Sequence, residues 1–131
     1  MKEFPTIDQV HEMLEHISDE IPQDFYKELS GGVVLVEHAK KHAETRPDYP
    51  LYIMGEYQRS AMGRQIIIYY GSFKNAYHHL SEKKLYERLK ETLLHEFTHH
   101  LENLAGERGL EIKDAERINS YRRIRSNKDN R

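Results

Sequence analysis

The sequence predicts a small α+β domain in which a sheet of about three strands is packed by an N-terminal helix, a long helix and a C-terminal helix. Three observations carry that expectation. Ile7, Val10, Leu14 and Ile17 recur at helical spacing. The runs Val33-Val34-Leu35-Val36 and Ile66-Ile67-Ile68 are short and β-branched, as strands require. Leu85, Leu89, Leu93, Phe97, Leu101 and Leu104 fall three to four residues apart and form the apolar stripe of one long helix.

The first helix starts behind Thr6 and Asp8, which suit its N-terminus, runs for about four turns and ends before Pro22. A short helical piece, QDFYKEL, leads to Ser30-Gly31-Gly32, which breaks the chain before the first strand, VVLVEH. Residues 38–50 are polar, contain Pro47 and Pro50 and show no period, so a long exposed connection is expected, with His38 and His42 as solvent-facing loop residues. LYIMGEY and RQIIIYYGSF read as two strands joined through QRSAMG, where Gly63 fits a turn. The continuous run of Ile66, Ile67 and Ile68 points to a strand covered on both faces, with helices packed on the sheet. Ser81 caps a long helix reaching Ala105, and Gly106 stands where a left-handed terminating residue is wanted. A last helix begins near Leu110, carries Ala115 and Ile118 on one side, and fades after Ile124.

With 131 residues, 37% of them hydrophobic and 32% charged, the chain suits one domain, residues 1–125, followed by a flexible basic tail, residues 126–131. No run is apolar enough to span a membrane. The start, Met1-Lys2-Glu3-Phe4-Pro5, does not resemble a secretory leader, and a cytoplasmic protein is expected. The absence of cysteine removes thiolate ligands and thiol catalysis, so any metal must sit on nitrogen and oxygen donors. A net charge of -2 exerts no pull toward nucleic acid, and the basic end, Arg122, Arg123, Arg125, Lys128 and Arg131, reads as solvated tail.

The chemistry concentrates in Leu94-His95-Glu96-Phe97-Thr98-His99-His100. At about 100° per residue, His95 and His99 lie within roughly 40° of one another, away from the centre of the apolar stripe. Imidazoles one turn apart can reach the same ion at about 2.0–2.1 Å. Glu96 projects at a neighbouring angle, where a carboxylate can act on water without itself being a ligand. A solvated polar face is the bland alternative. The flanks Thr92, Leu93, Leu94, Phe97, Thr98 and Leu101 are uncharged, and among them unpaired histidine and glutamate would be costly to bury. His100 points some 100° from His99, toward the stripe, and is expected to be a partly buried histidine with a backbone or carboxylate partner.

A catalytic zinc site commonly takes three protein ligands and leaves a position for water. Glu102 lies on the histidine face but about 10.5 Å of helix rise beyond His95. If the helix ends near Ala105, turns through residues 106–109 and returns antiparallel, residues 114–116 come level with His99. Ala115 and Ile118 then face the core and Asp114 is the nearest carboxylate. Glu111, Glu116, Glu107 and Glu102 stay open as alternatives.

These residues resemble the small bacterial zincin-like metallopeptidase family, HExxH-containing minimal metallopeptidases whose pattern is His-Glu-x-x-His-x-x-Gly-x-x-Asp. LLHEFTHH is similar to its first half, and the order of elements is similar over nearly the whole chain. The resemblance implies a zincin-like fold, one zinc ion (Zn2+), His95 and His99 as metal ligands and Glu96 as general base. Glu102 stands where the pattern has glycine, and Ala105 where it has the third-ligand aspartate. The expected reaction is peptide-bond hydrolysis on a peptide or protein substrate, with the metal on His95, His99 and Asp114 and with Glu96 moving the proton of the attacking water. RQIIIYYGSF is expected to offer the edge on which the peptide pairs, and Tyr69, Tyr70, Tyr77, His78 and His79 are the candidates for stabilising the oxyanion. A metal-dependent nuclease or other hydrolase, and a non-catalytic metal-binding or interaction module, are the competing readings.

Overall fold

The computed structural model describes residues 3–48 and 50–108. Helix α1 spans Ile7–Glu20 and opens with a reciprocal cap: the Thr6 hydroxyl accepts from the Gln9 backbone N–H while the Gln9 side chain accepts from Thr6 N–H. Its buried residues are Val10, Leu14 and Ile17, the face set by the sequence spacing. A 3-10 turn, Gln23–Tyr26, places Phe25 in the core. Five strands follow: β1 (Gly32–Val36), β2 (Lys40–Lys41), β3 (Tyr52–Ile53), β4 (Gly55–Ser60) and β5 (Gly63–Tyr69). Helices α2 (Tyr70–Tyr77) and α3 (Glu82–Arg108) complete the described elements.

The main sheet has three strands in the order β1-β5-β4, with β1 parallel and β4 antiparallel to β5. β2 and β3 form a separate two-stranded ladder, so the connection expected to be featureless carries its own pairing. Register settles which residues share a face. Val33 and Leu35 lie opposite Ile66 and Ile68, which in turn lie opposite Tyr57 and Gly55. That face meets the helices: Ile66 and Ile68 are wholly buried together with Leu85, Leu89, Leu93, Phe97 and Leu101 of α3. Ile67 and Tyr69 are buried on the opposite face, so β5 is covered on both sides as its apolar run requires. At the α1–α3 interface the buried Lys90 ammonium is paired with Glu20.

Three further sequence expectations change. RQIIIYYGSF is not one strand: β5 ends at Tyr69 and Tyr70 begins α2, where its buried hydroxyl donates to the Pro5 carbonyl at 2.7 Å. β5 also cannot offer a free edge, because it is the central strand with both ladders occupied; the edges belong to β1 and β4. Finally, α3 does not stop at Ala105 but continues to Arg108 with Gly106 inside it. Ser81 does cap its start, accepting from Lys84 N–H at 3.2 Å. A helical glycine costs only about 1 kcal/mol relative to alanine, which continuing backbone hydrogen bonds can offset. The turn that brought Asp114 level with His99 assumed the earlier stop, so that count no longer holds. Asp114, Glu111, Glu116, the closing helix and the basic tail lie outside the described residues.

Candidate metal centre

α3 and β4 build the site from opposite sides. At Gly55 the two are in tight contact: a Cβ placed there would stand 2.9 Å from the Thr92 methyl of α3, and 3.2 Å from Ile68 Cδ1 of β5. The strand runs onward beside the helix, so Tyr57 comes level with His100 and its hydroxyl stands 2.9 Å from His100 Nδ1. Between these contacts lies an open groove of about 700 Å³, walled by Gly55, Glu56 and Tyr57 of β4 and by His95, Glu96, His99, Glu102 and Asn103 of α3.

His95 and His99 are exposed to the groove, and their Nε2 atoms stand 3.1 Å apart with the ring planes nearly perpendicular. Two nitrogens each about 2.0–2.1 Å from one tetrahedral ion would stand roughly 3.3 Å apart. The pair is therefore already at the spacing of shared ligation. Glu96, between them in sequence, lines the same groove and is only 6% exposed. Glu102 also lines the groove, whereas Glu107 belongs to the last turn of α3. Among the described residues no three histidine, aspartate or glutamate side chains are gathered around one point, so a third protein ligand is not supplied there. The two imidazoles and a nearby carboxylate otherwise fit a divalent ion of zinc's preferences.

His100 has a different task. It is wholly buried, and Nε2 donates to the Lys27 carbonyl at 2.7 Å, since a carbonyl can only accept. Burial holds the ring's pKa below the ordinary histidine range, which keeps it neutral and leaves Nδ1 to accept from the Tyr57 hydroxyl. Asn103 continues the chain, its Oδ1 accepting from Arg64 Nε at 3.2 Å. Tyr57, Asn103 and Arg64 were not singled out by the sequence; a strand residue's reach to a helix some forty positions away leaves no local pattern to find.

The five expected oxyanion candidates sit elsewhere. Tyr70 is held by Pro5, Tyr77 packs against Phe73, and His78 and His79 lie edge to face beyond α2. The Tyr69 hydroxyl donates to Glu56 at 2.5 Å, and Lys40 Nζ meets the same carboxylate at 2.8 Å. His38 is exposed, as expected, and lies edge to face with the Tyr69 ring.

Residues 33–119 match the model of a family described as zincin-like metallopeptidase. A solved structure described as a conserved hypothetical protein from Thermo thermophilus is similar at 33% identity, with a TM-score of 0.64 over 77% of this chain and 98% of that one. A comparison with curated proteins finds no match. Among the described residues no helix is long and apolar enough to cross a membrane.

Proposed function

This chain belongs to the zincin-like metallopeptidase family, and from that premise we propose that it hydrolyses peptide bonds with a zinc ion held by His95 and His99 and with Glu96 as the general base. The observation that carries the proposal is the 3.1 Å approach of the two Nε2 atoms beside a nearly buried carboxylate, in a groove bordered by a strand edge. A zinc ion bound there would supply an acidified water and a Lewis acid for the scissile carbonyl. Ala105 stands where the family's pattern has its third-ligand aspartate, so a carboxylate further along the chain would have to complete the site, with Asp114 the candidate. The chain's own residues do the rest. Glu96 takes the proton from the attacking water at a carboxylate oxygen and returns it to the leaving amine nitrogen.

The substrate is aligned by β4. Tyr69 N–H donates to Met54 O at 3.0 Å, which makes that pair a hydrogen-bonded one and fixes the alternation along the ladder. Gly55, Tyr57 and Arg59 then occupy the intervening pairs, with their backbone N–H and C=O groups directed to the outer edge, along the groove. An extended peptide added there would find polar backbone at a two-residue interval. Peptide is favoured over nucleic acid as substrate because α3 lines the groove with the acidic residues Glu96 and Glu102, and phosphodiester backbones avoid such walls.

Hydrolysis of quenched fluorescent peptides by the zinc-loaded protein, compared with Glu96→Gln, tests the reading. The variant should lose about 10²–10⁴ in rate while keeping its metal. Equal rates for both proteins would remove the catalytic role, and no hydrolysis of any peptide by a zinc-loaded wild type would favour the binding-module alternative.

A further inference from the structure

Asn103 stands one turn beyond His99 on the same face of α3, half-buried in the wall of the groove. The sheet holds its side chain. Arg64 Nε, from the strand next to β4, stands 3.2 Å from Asn103 Oδ1, and the Tyr57 hydroxyl stands 3.4 Å from the same oxygen. A guanidinium can only donate, so the fork of the amide turned to the sheet is the oxygen, and the nitrogen takes the other side. Nδ2 carries two hydrogens, and among the described residues neither meets an acceptor. Tyr57 is itself held by His100, whose ring is fixed on the Lys27 carbonyl at 2.7 Å. The amide is therefore oriented before any ligand arrives, with its whole donor capacity kept.

Resting on the peptidase reading above, we propose that Asn103 Nδ2 donates a hydrogen bond to a backbone carbonyl of the substrate, two residues from the carbonyl that is attacked. The spacing carries the assignment. In an extended peptide, carbonyls two residues apart point to the same side and stand about 6.6–6.8 Å from one another. His99 and Asn103 are four residues apart on α3, about 6.0 Å of rise. A peptide on the β4 edge that brings one carbonyl to the histidine pair therefore brings the next carbonyl of that side level with Asn103. The interval is the same whichever way the peptide runs. A carbonyl carries no net charge, so the Glu102 carboxylate on the same wall does not oppose it as it would an acidic group. Since the amide is already oriented, the bond forms with little further ordering of the side chain.

The test measures binding, independent of turnover. The tightest-binding decapeptide of the quenched fluorescent set is remade with a fluorescein label and with each amide in turn replaced by an E-alkene, which removes the carbonyl and keeps the chain extended. Each is titrated by fluorescence polarisation against the zinc-loaded Glu96→Gln protein, alone and combined with Asn103→Asp or Asn103→Ala. Asn103→Asp keeps an acceptor for Arg64 Nε and removes only the donor, so a residue that merely braces Arg64 would leave the pattern unchanged. At one position, two residues from the bond that the wild type cuts, the alkene should weaken binding about five- to tenfold. In both Asn103 variants the same replacement should cost nothing more, while the other positions keep their effects. Alkene effects identical with and without Asn103 at every position, a coupling at some other distance from the cut bond, or no binding of any peptide would each overturn the assignment. Failure of the peptidase reading shows separately, as absent hydrolysis by the zinc-loaded wild type while the coupling to Asn103 persists.

Discussion

His95 Nε2 and His99 Nε2 stand 3.1 Å apart, each ring presented edge to face to the other across one turn of α3. Without an ion, one ring must donate its proton to the other's lone pair; two lone pairs at this distance repel. A divalent cation satisfies both at once. The pair should therefore bind zinc as a unit. Elemental analysis should find about one zinc per wild-type chain and close to none in His95→Ala or His99→Ala, since removing either imidazole leaves too few donors for tight binding. Equal metal content in wild type and variants would refute the assignment.

Gly55 sets the width of the groove. Gly55→Ala would force its methyl against Thr92 Cγ2 at 2.9 Å and crowd the Ile67 carbonyl at 3.3 Å, and a short β-branched side chain in a packed helix has little freedom to yield. A loss of about 1–3 kcal/mol in urea unfolding is expected, together with slower peptide hydrolysis. Adding Thr92→Ser, which removes the obstructing methyl, should restore most of both. Absence of rescue would place the effect elsewhere.

His100 is a buried strut beside a metal-ligand candidate. In His100→Leu the Lys27 carbonyl loses its donor and the Tyr57 hydroxyl its nearer acceptor, leaving it the longer bond to Asn103 Oδ1 at 3.4 Å, while volume is roughly kept. Stability should fall by roughly 1–3 kcal/mol, the cost of leaving such groups unsatisfied. Zinc content should not change, because both ring nitrogens of His100 are turned to other partners. A variant that loses its zinc while staying folded would contradict that division of labour.

The Glu56 carboxyl gives stability a pH dependence. Burial alone would raise its pKa, but hydrogen bonds from Lys40 and Tyr69 and the Lys40 charge outweigh that and hold it below the ordinary glutamate range. The folded protein then binds fewer protons here than the unfolded chain does, so stability rises with pH across that window. The contribution is complete above about pH 4.3, the ordinary glutamate value, and is lost as pH falls through the lower folded value. The urea midpoint of Glu56→Gln, followed between pH 3 and 6, should show a shallower slope than wild type; identical slopes would remove Glu56 from the acid response.

Much of the fold can be read locally. The Thr6 cap, the buried face of α1, the Ser81 cap and the six-residue stripe of α3 all follow from spacings within a few turns, and each appears where the spacing put it. Helix geometry also places His95 and His99 on one face, because 3.6 residues per turn is a property of the backbone and needs no neighbours. The errors fall where local signals compete or end. The apolar, aromatic run through Tyr70 reads as strand on propensity, but the anchoring of its hydroxyl to Pro5, 65 residues earlier, goes with the turn into α2. Gly106 reads as a stop, and the helix passes through it.

The sequence by itself determined α1, the apolar stripe of α3, the approximate positions of β1, β4 and β5 and the one-turn pairing of two imidazoles with a carboxylate between them, since all of these depend on distances along the chain. Only the tertiary structure decided that β5 is central and β4 the edge beside the helix, that Tyr57 reaches His100, and that Arg64 reaches Asn103. Those facts depend on which strands pair and in what register. Such pairing is chosen by burying Ile66 and Ile68 against α3, across sequence separations that no local spacing records.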